Sequence, residues 1–267
     1  MLTALTIAGF DPSSGAGVSA DLMVFAAHNL FGTACITSLT VQSTTGVRSK
    51  HPVETSVIAD TLACLEEDLP AAGIKIGMLG TAEAVATVAD FIEAIRNRGS
   101  RVPIVLDPVL RSSSGRELID AEGARLLRSR LFPLVDWITP NVEELALLTG
   151  HPVADRHQLA LQATALQQSI GAGRVNILAK GGHLNPPDDL ILTVEGSHHW
   201  LAGERIETRS THGTGCALSS ALLSRLLLGD EPVSAARQAK DYVAEAMRTA
   251  EPKGHGAGPM NHLWPLR

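Results

Sequence analysis

Only three cysteines occur, Cys35, Cys64 and Cys216, an odd and scattered set without metal-ligand spacing. That argues against a disulfide framework and a structural zinc site, and it suits a reducing compartment. A basic excess is missing as well, for the formal net charge is -6. Nucleic acids are held by basic surfaces that release counterions, so no nucleic-acid partner is expected and any phosphate is bound locally. No apolar run approaches the roughly 18 residues of a membrane span. The start Met1-Leu2-Thr3-Ala4-Leu5-Thr6-Ile7 has no basic region ahead of its short apolar stretch. A cytoplasmic protein without membrane contact is therefore expected.

The common phosphate signatures are missing too. The Walker pattern G-x-x-x-x-G-K-[ST] occurs nowhere, and Gly9-Phe10-Asp11-Pro12-Ser13-Ser14-Gly15-Ala16-Gly17 does not complete G-x-G-x-x-G. A P-loop nucleotidase and a dinucleotide-binding domain are both excluded on spacing.

What the chain does have is 267 residues with 45% hydrophobic content, enough for one large core. A single domain over 1–267 is expected, with no repeat or linker to divide it. Short β-branched runs at Leu5–Ala8, Ala34–Val41, Gly73–Ile76, Ile104–Leu106, Trp137–Thr139 and Val175–Ala179 read as buried strands. Between them, Val85, Val88, Ala89, Ile92 and Ile95, then Leu159, Ala163, Leu166 and Ile170, follow helical spacing. The alternation predicts an α/β fold: a three-layer αβα sandwich around a mostly parallel central sheet. Leu190–Glu195 and His198–Leu201, around Gly196-Ser197, predict an antiparallel hairpin edge. Helices are expected to start near Gly213 and Val233, before a Gly- and Pro-rich tail.

Open α/β sheets bind ligands beyond the carboxyl ends of their strands, so those loops carry the candidates. The sharpest is Thr211-His212-Gly213-Thr214-Gly215-Cys216, where two glycines precede an apolar helical run. Glycines let free backbone N–H groups converge, and a helix N-terminus adds partial positive charge, so the segment reads as an anion hole. Cys216 in that field is expected to have a lowered pKa, although packing as a small hydrophobe is the commoner fate of a cysteine. Asn141 and Glu144 stand three apart in Thr139-Pro140-Asn141-Val142-Glu143-Glu144, and their bland reading is a helix cap. Lys180 enters Gly181-Gly182 where an ammonium can reach a phosphate, and Asp107 ends a strand with a carboxylate suited to Mg²⁺. Phosphoryl transfer needs anion-binding amides, a cation, a magnesium-holding carboxylate and a positioned base together, and all four kinds occur at strand ends.

In order along nearly the whole chain, Thr6–Leu22, Leu39–Val47, Lys75–Gly80, Val105–Gly115, Ile138–Leu145, Lys180–Leu184 and Thr211–Ala221 resemble the hydroxymethylpyrimidine and phosphomethylpyrimidine kinases of thiamine biosynthesis. The resemblance implies a ribokinase-like fold, a homodimer, and use of ATP with Mg²⁺ to phosphorylate a pyrimidine alcohol and then its monophosphate. It places the pyrimidine among Gly9, Asp21, Val41, Gln42, Met78 and Val109, with Gln42 and Asp21 hydrogen-bonding the ring nitrogen and amine. A carboxamide offers both donor and acceptor to such an edge, and the apolar three can cover a flat ring or simply pack. Catalysis is implied for Cys216, orienting or deprotonating the hydroxymethyl oxygen, with Gly213, Thr214, Gly215 and Lys180 around the phosphoryl group. The nucleotide falls to Asn141, Lys180 and Thr211, and the metal to Asp107 and Glu144. Two positions depart from the family pattern: Met23 and Ser113 stand where lysine is common, with Arg111 near the second.

Other readings remain: a sibling kinase for pyridoxal or hydroxyethylthiazole; a hydrolase with Cys216 as nucleophile and His212 or His183 as its base; and a non-catalytic binding module. His198, His199, His255 and His262 lack ligand spacing and are assigned surface or tail positions.

Overall fold

Side chains of Ile104 and Leu106 enter one apolar cluster and that of Val105 the other, and the same alternation places Trp137 opposite Ile138 and Leu178 opposite Ile177 and Ala179. These strands are buried on both faces, which is why they read as continuous apolar runs rather than as polar–apolar alternation. The computed structural model describes residues 1–112, 115–171 and 175–266.

Among the described residues one sheet runs through β1 (Thr3–Phe10), β2 (Phe31–Ser43), β3 (Gly46–Pro52), β4 (Gly73–Ile76), β5 (Ile104–Leu106), β6 (Trp137–Ile138), β7 (Asn176–Ala179), β8 (Asp189–Leu192) and β9 (His198–Leu201). Their order is β3-β2-β1-β4-β5-β6-β7-β8-β9. The strands from β2 to β7 pair in parallel, whereas β3 at one edge and β8 and β9 at the other are antiparallel. β8 and β9 form the predicted hairpin. β3 was not foreseen, because Arg48, Ser49, Lys50 and His51 carry no apolar alternation and none of its residues is buried.

The helices are α1 (Gly17–Ala27), α2 (Thr55–Asp68), α3 (Ala82–Asn97), α4 (Ala121–Leu126), α5 (Val142–Thr149), α6 (Arg156–Ile170), α7 (Thr214–Leu227) and α8 (Pro232–Arg248). α2 to α6 supply the cluster on one face and α1, α7 and α8 that on the other. The predicted stripe Val85, Val88, Ala89, Ile92 and Ile95 of α3 is buried throughout. Each such isoleucine or valine contributes roughly 1.5–3 kcal/mol by leaving water. The result is the expected αβα sandwich. β1 lies between β2 and β4: the chain steps from β1 to β2 on one side and returns from β3 to β4 on the other, and in such sheets ligands bind in the crevice at the carboxyl end of this switch point.

Candidate active site

At the carboxyl edge of the sheet, β5, β6 and β7 bring three charged groups together. Lys180 Nζ donates to Asp107 Oδ1 at 2.8 Å and lies 4.0 Å from Glu144 Oε2. The Thr139 hydroxyl holds Asp107 Oδ1 from the other side at 3.1 Å. Burial alone would lower the Lys180 pKa, but Asp107 and Glu144 outweigh it and keep the ammonium charged. Burial pushes the Glu144 carboxyl up to about 7, with Lys180 opposing and Asp107 adding to the shift. Asn141 and Glu144 do form the capping box: Glu144 N–H donates to Asn141 Oδ1 and Asn141 N–H to Glu144 Oε2, each at 2.8 Å. The cap and the charge cluster thus share one carboxylate. Among the described residues no hydrogen bond takes up the Asn141 amide NH₂.

The glycine segment closes over this cluster. Gly213 adopts φ 83 as the residue before α7, and a β-carbon there would meet Gly15 O at 1.8 Å. The helical ladder begins with Ala217 N–H bonding Gly213 O, so the N–H groups of Thr214, Gly215 and Cys216 have no helical acceptor. A β-carbon on Gly215 would lie 3.0 Å from Lys180 Nζ and 3.3 Å from Asp107 Oδ2, which puts the helix start directly on the ion pair. Free amides, an ammonium and two carboxylates therefore converge.

One expectation for Cys216 is corrected. Its thiol is pushed up to about 11: burial raises it, Lys75 lowers it, Asp21 and Asp107 raise it, and the N–H of Gly17 bonds the sulfur. Burial, helped by two nearby carboxylates, outweighs Lys75 and the helix start, so the thiol is neutral at physiological pH.

Asp21 is corrected as well. It is fully buried, and both oxygens are taken: Oδ1 accepts from Lys75 Nζ at 3.0 Å and Ser220 Oγ at 2.7 Å, Oδ2 from Lys75 Nζ at 2.8 Å and Thr6 Oγ1 at 2.6 Å. Nothing remains to bind a pyrimidine amine. Lys75 was missed, because a lysine in the strand Gly-Ile-Lys-Ile gives no hint of a partner 54 residues away; it is fully buried, and Asp21, with Cys216 and Asp107, outweighs that burial and keeps the ammonium charged.

Gly9 and Gln42 stand near the carboxyl ends of β1 and β2, and Met78 follows β4. A β-carbon on Gly9 would meet Met78 Sδ at 3.2 Å, so the glycine makes room for the thioether, and Thr37 fixes the Met78 carbonyl at 2.6 Å. Val41 is 48% exposed and Val109 half-buried, which leaves apolar surface for a ring. Thr211 is exposed, and no described hydrogen bond ties it to Asn141 or Lys180. Arg111 pairs with Glu117 at 3.4 Å. Ser113 lies outside the described residues.

The hydrolase reading loses its base. His183 is exposed and paired with Glu143, while His212 Nε2 faces Asp11 and Gln42. His262, assigned to the tail, is buried and contacts Gly15 O at 3.3 Å. Of two cavities of about 650 and 670 Å³, the second takes in Arg111 and Glu117, and neither includes Lys180, Asp107, Glu144, Cys216 or Gln42.

Among the described residues no three acidic, histidine or cysteine side chains form a metal cage. Two buried carboxylates sharing a single ammonium, one of them only weakly acidic, do fit a hard divalent cation that arrives with phosphate oxygens and keeps much of its water.

Such a constellation on a three-layer sandwich defines a ribokinase-like small-molecule kinase. The phosphomethylpyrimidine kinase family model matches residues 11–261, and the chain belongs to that family. It is 40% identical over 263 residues to the hydroxymethylpyrimidine/phosphomethylpyrimidine kinase of Haemophilus influenzae, covering 97% of this chain and 95% of that protein. The crystal structure of phosphomethylpyrimidine kinase from Clostridium difficile 630 superposes with a TM-score of 0.79 at 31% identity, over 92% of this chain and 99% of the other. An ADP complex of Bacillus subtilis pyridoxal kinase gives 0.86 at 30% identity, over the whole of both chains.

Proposed function

We propose that this chain transfers the γ-phosphoryl group of ATP to the hydroxymethyl oxygen of 4-amino-5-hydroxymethyl-2-methylpyrimidine, and then to the phosphate of that product, on the thiamine pathway. The observation that carries the reading is the placement of Gly215 against the Lys180–Asp107 pair, which supports a binding place for a transferring phosphate. The free amides of 214–216 and the Lys180 ammonium stabilise charge spread over the phosphoryl oxygens. Cys216 orients the hydroxymethyl oxygen as a neutral thiol, sufficient for a loose transition state that asks little of a base early on. Gln42, Met78, Gly9, Val41 and Val109 hold the ring. Asn141 offers its free NH₂ to the nucleotide, and Thr211 borders the same loop.

Asp107 and Glu144 would hold Mg²⁺, which would supply positive charge against the phosphate oxygens. The proposal takes residues 1–267 as one kinase domain, with a second copy of the chain as partner, working in the cytoplasm. In its support, no helix among the described residues is long and apolar enough to cross a membrane.

The likeness to pyridoxal kinase favours pyridoxal as a second acceptor. A coupled ADP-release assay with Mg-ATP decides between them on the pyrimidine alcohol, its monophosphate, pyridoxal and hydroxyethylthiazole. Turnover on the first two supports the proposal. Turnover on pyridoxal or thiazole alone moves the substrate, and none at all removes the kinase reading.

A further inference from the structure

His212 stands between the two loops that frame the crevice. Its Nε2 lies 2.8 Å from Asp11 Oδ2 and 2.9 Å from the end of the Gln42 carboxamide. Its ring packs so closely on the first loop that a β-carbon on Gly15 would sit 2.2 Å from His212 Cδ2.

The protons in this cluster can be placed by elimination. Asp11 is buried and accepts four hydrogen bonds besides His212: from the N–H and hydroxyl of Ser13, and from the N–H groups of Gly15 and Ala16. Burial alone would raise its pKa, but the bonds from His212 and Ser13 outweigh that and hold it below the usual carboxylate range. An ionised Asp11 is a pure acceptor, so His212 Nε2 carries a hydrogen and donates it. With the Gln42 amide nitrogen toward the ring, the 2.9 Å contact would set two N–H donors face to face. Turned the other way, Oε1 shares the His212 hydrogen with Asp11. The amide nitrogen then faces Thr40 Oγ1, 3.3 Å from the end of the carboxamide. Thr40 gives its own hydrogen to Phe10 O at 2.9 Å and is free to accept. Only this orientation satisfies every group.

We infer that His212 is a positioning residue: through Nε2–H it commits the oxygen of Gln42 inward, so that the carboxamide meets the substrate as a donor alone. One amide hydrogen goes to Thr40, and the other is left for an sp² ring nitrogen. This rests on the reading above that Gln42 binds the ring, and it narrows that reading. Gln42 recognises an acceptor nitrogen of the heteroaromatic alcohol, not its exocyclic amine.

The test compares the pyrimidine alcohol with 2-aminobenzyl alcohol, which keeps the amine and carbinol but has carbon in place of both ring nitrogens. For His212→Leu the expected result is a KM for the pyrimidine raised about tenfold, the worth of one hydrogen bond, with the KM for ATP nearly unchanged. The wild-type preference for the pyrimidine over the carbocycle should shrink by the same factor. His212→Gln keeps an N–H donor at the Nε2 position and should restore most of both. Gly15→Ala, which displaces the ring without touching its chemistry, should repeat the His212→Leu result and stands in if that variant does not fold.

Wild-type KM and preference in both His212→Leu and Gly15→Ala overturn the inference, as does an equal fall in turnover on both alcohols at unchanged KM. If the unaltered enzyme phosphorylates no ring-nitrogen alcohol, the functional reading fails first and takes this inference with it.

Discussion

Gly215 and Lys180 stand in contact distance across the site: a single β-carbon on the glycine would come within 3.0 Å of the ammonium. An alanine there presses on both members of the Lys180–Asp107 pair and makes them give by a few tenths of an ångström. Gly215→Ala is expected to lower kcat/KM by about 10²-fold, in the range seen when one transition-state donor is lost. Melting should barely change. A coupled assay read alongside a thermal melt checks this, and wild-type kinetics would show that the phosphate does not sit there.

Glu144 carries the pH dependence. Its folded pKa of about 7 lies above the ordinary 4.5. Between those values the unfolded chain has released a proton that the native chain still holds. Its contribution to stability is therefore complete below about pH 4.5 and lost as pH rises through 7. Glu144→Gln keeps an oxygen for the Asn141 N–H and removes the buried charge. At pH 7.5 and without nucleotide it should be more stable than wild type by on the order of 1 kcal/mol, yet need more Mg²⁺ for activity. Urea unfolding and a magnesium titration separate the two effects.

Lys75 and Asp21 form a pair with no solvent contact. Removing one partner leaves a bare buried charge, so Lys75→Met should cost roughly 3–5 kcal/mol. The double variant Lys75→Met, Asp21→Leu should recover part of this, since only the Thr6 and Ser220 hydroxyls are then left without their acceptor. Chemical denaturation of the three proteins is the measurement. Equal losses in the single and double variants would mean the charge itself is not what matters.

For Cys216 the raised thiol pKa predicts slow alkylation that climbs about tenfold per pH unit from pH 7 to 10. Peptide mass spectrometry in a Cys64→Ser background follows it, since Cys64 is exposed and would react alongside. A plateau near neutral pH would restore the thiolate as a base.

Much of this architecture could be read from pattern alone, and the failures share a cause. Strands buried on both sides announce themselves, and so does a glycine pair before an apolar helix. Glu144 was open to two readings, cap and ligand: the cap is formed, and the same carboxylate faces Lys180, where the proposed ligand role would use it. Asp21, on α1, misled because its partner Lys75 comes from β4 and its saturation is visible only in space. The Cys216 acidity failed similarly: the helix start is local in sequence, whereas the burial that opposes it, and Asp21 and Asp107 that add to it, come from the tertiary fold. β3 escaped because a polar edge strand has no hydrophobic period.

That edge strand has a consequence for how such enzymes diverge. Gln42 and Val41 sit on the part of β2 that pairs with β3, where residues from Leu39 onward are exposed or half-covered, while Asp107, Thr139 and Glu144 are rooted in the core. Substitutions that reshape the wall facing the acceptor fall where few buried contacts are at stake, and those that disturb the phosphate end strike the interior. With Gln42 and Val41 facing the acceptor as proposed, acceptor choice can drift at little cost to stability while the buried end of the site stays fixed.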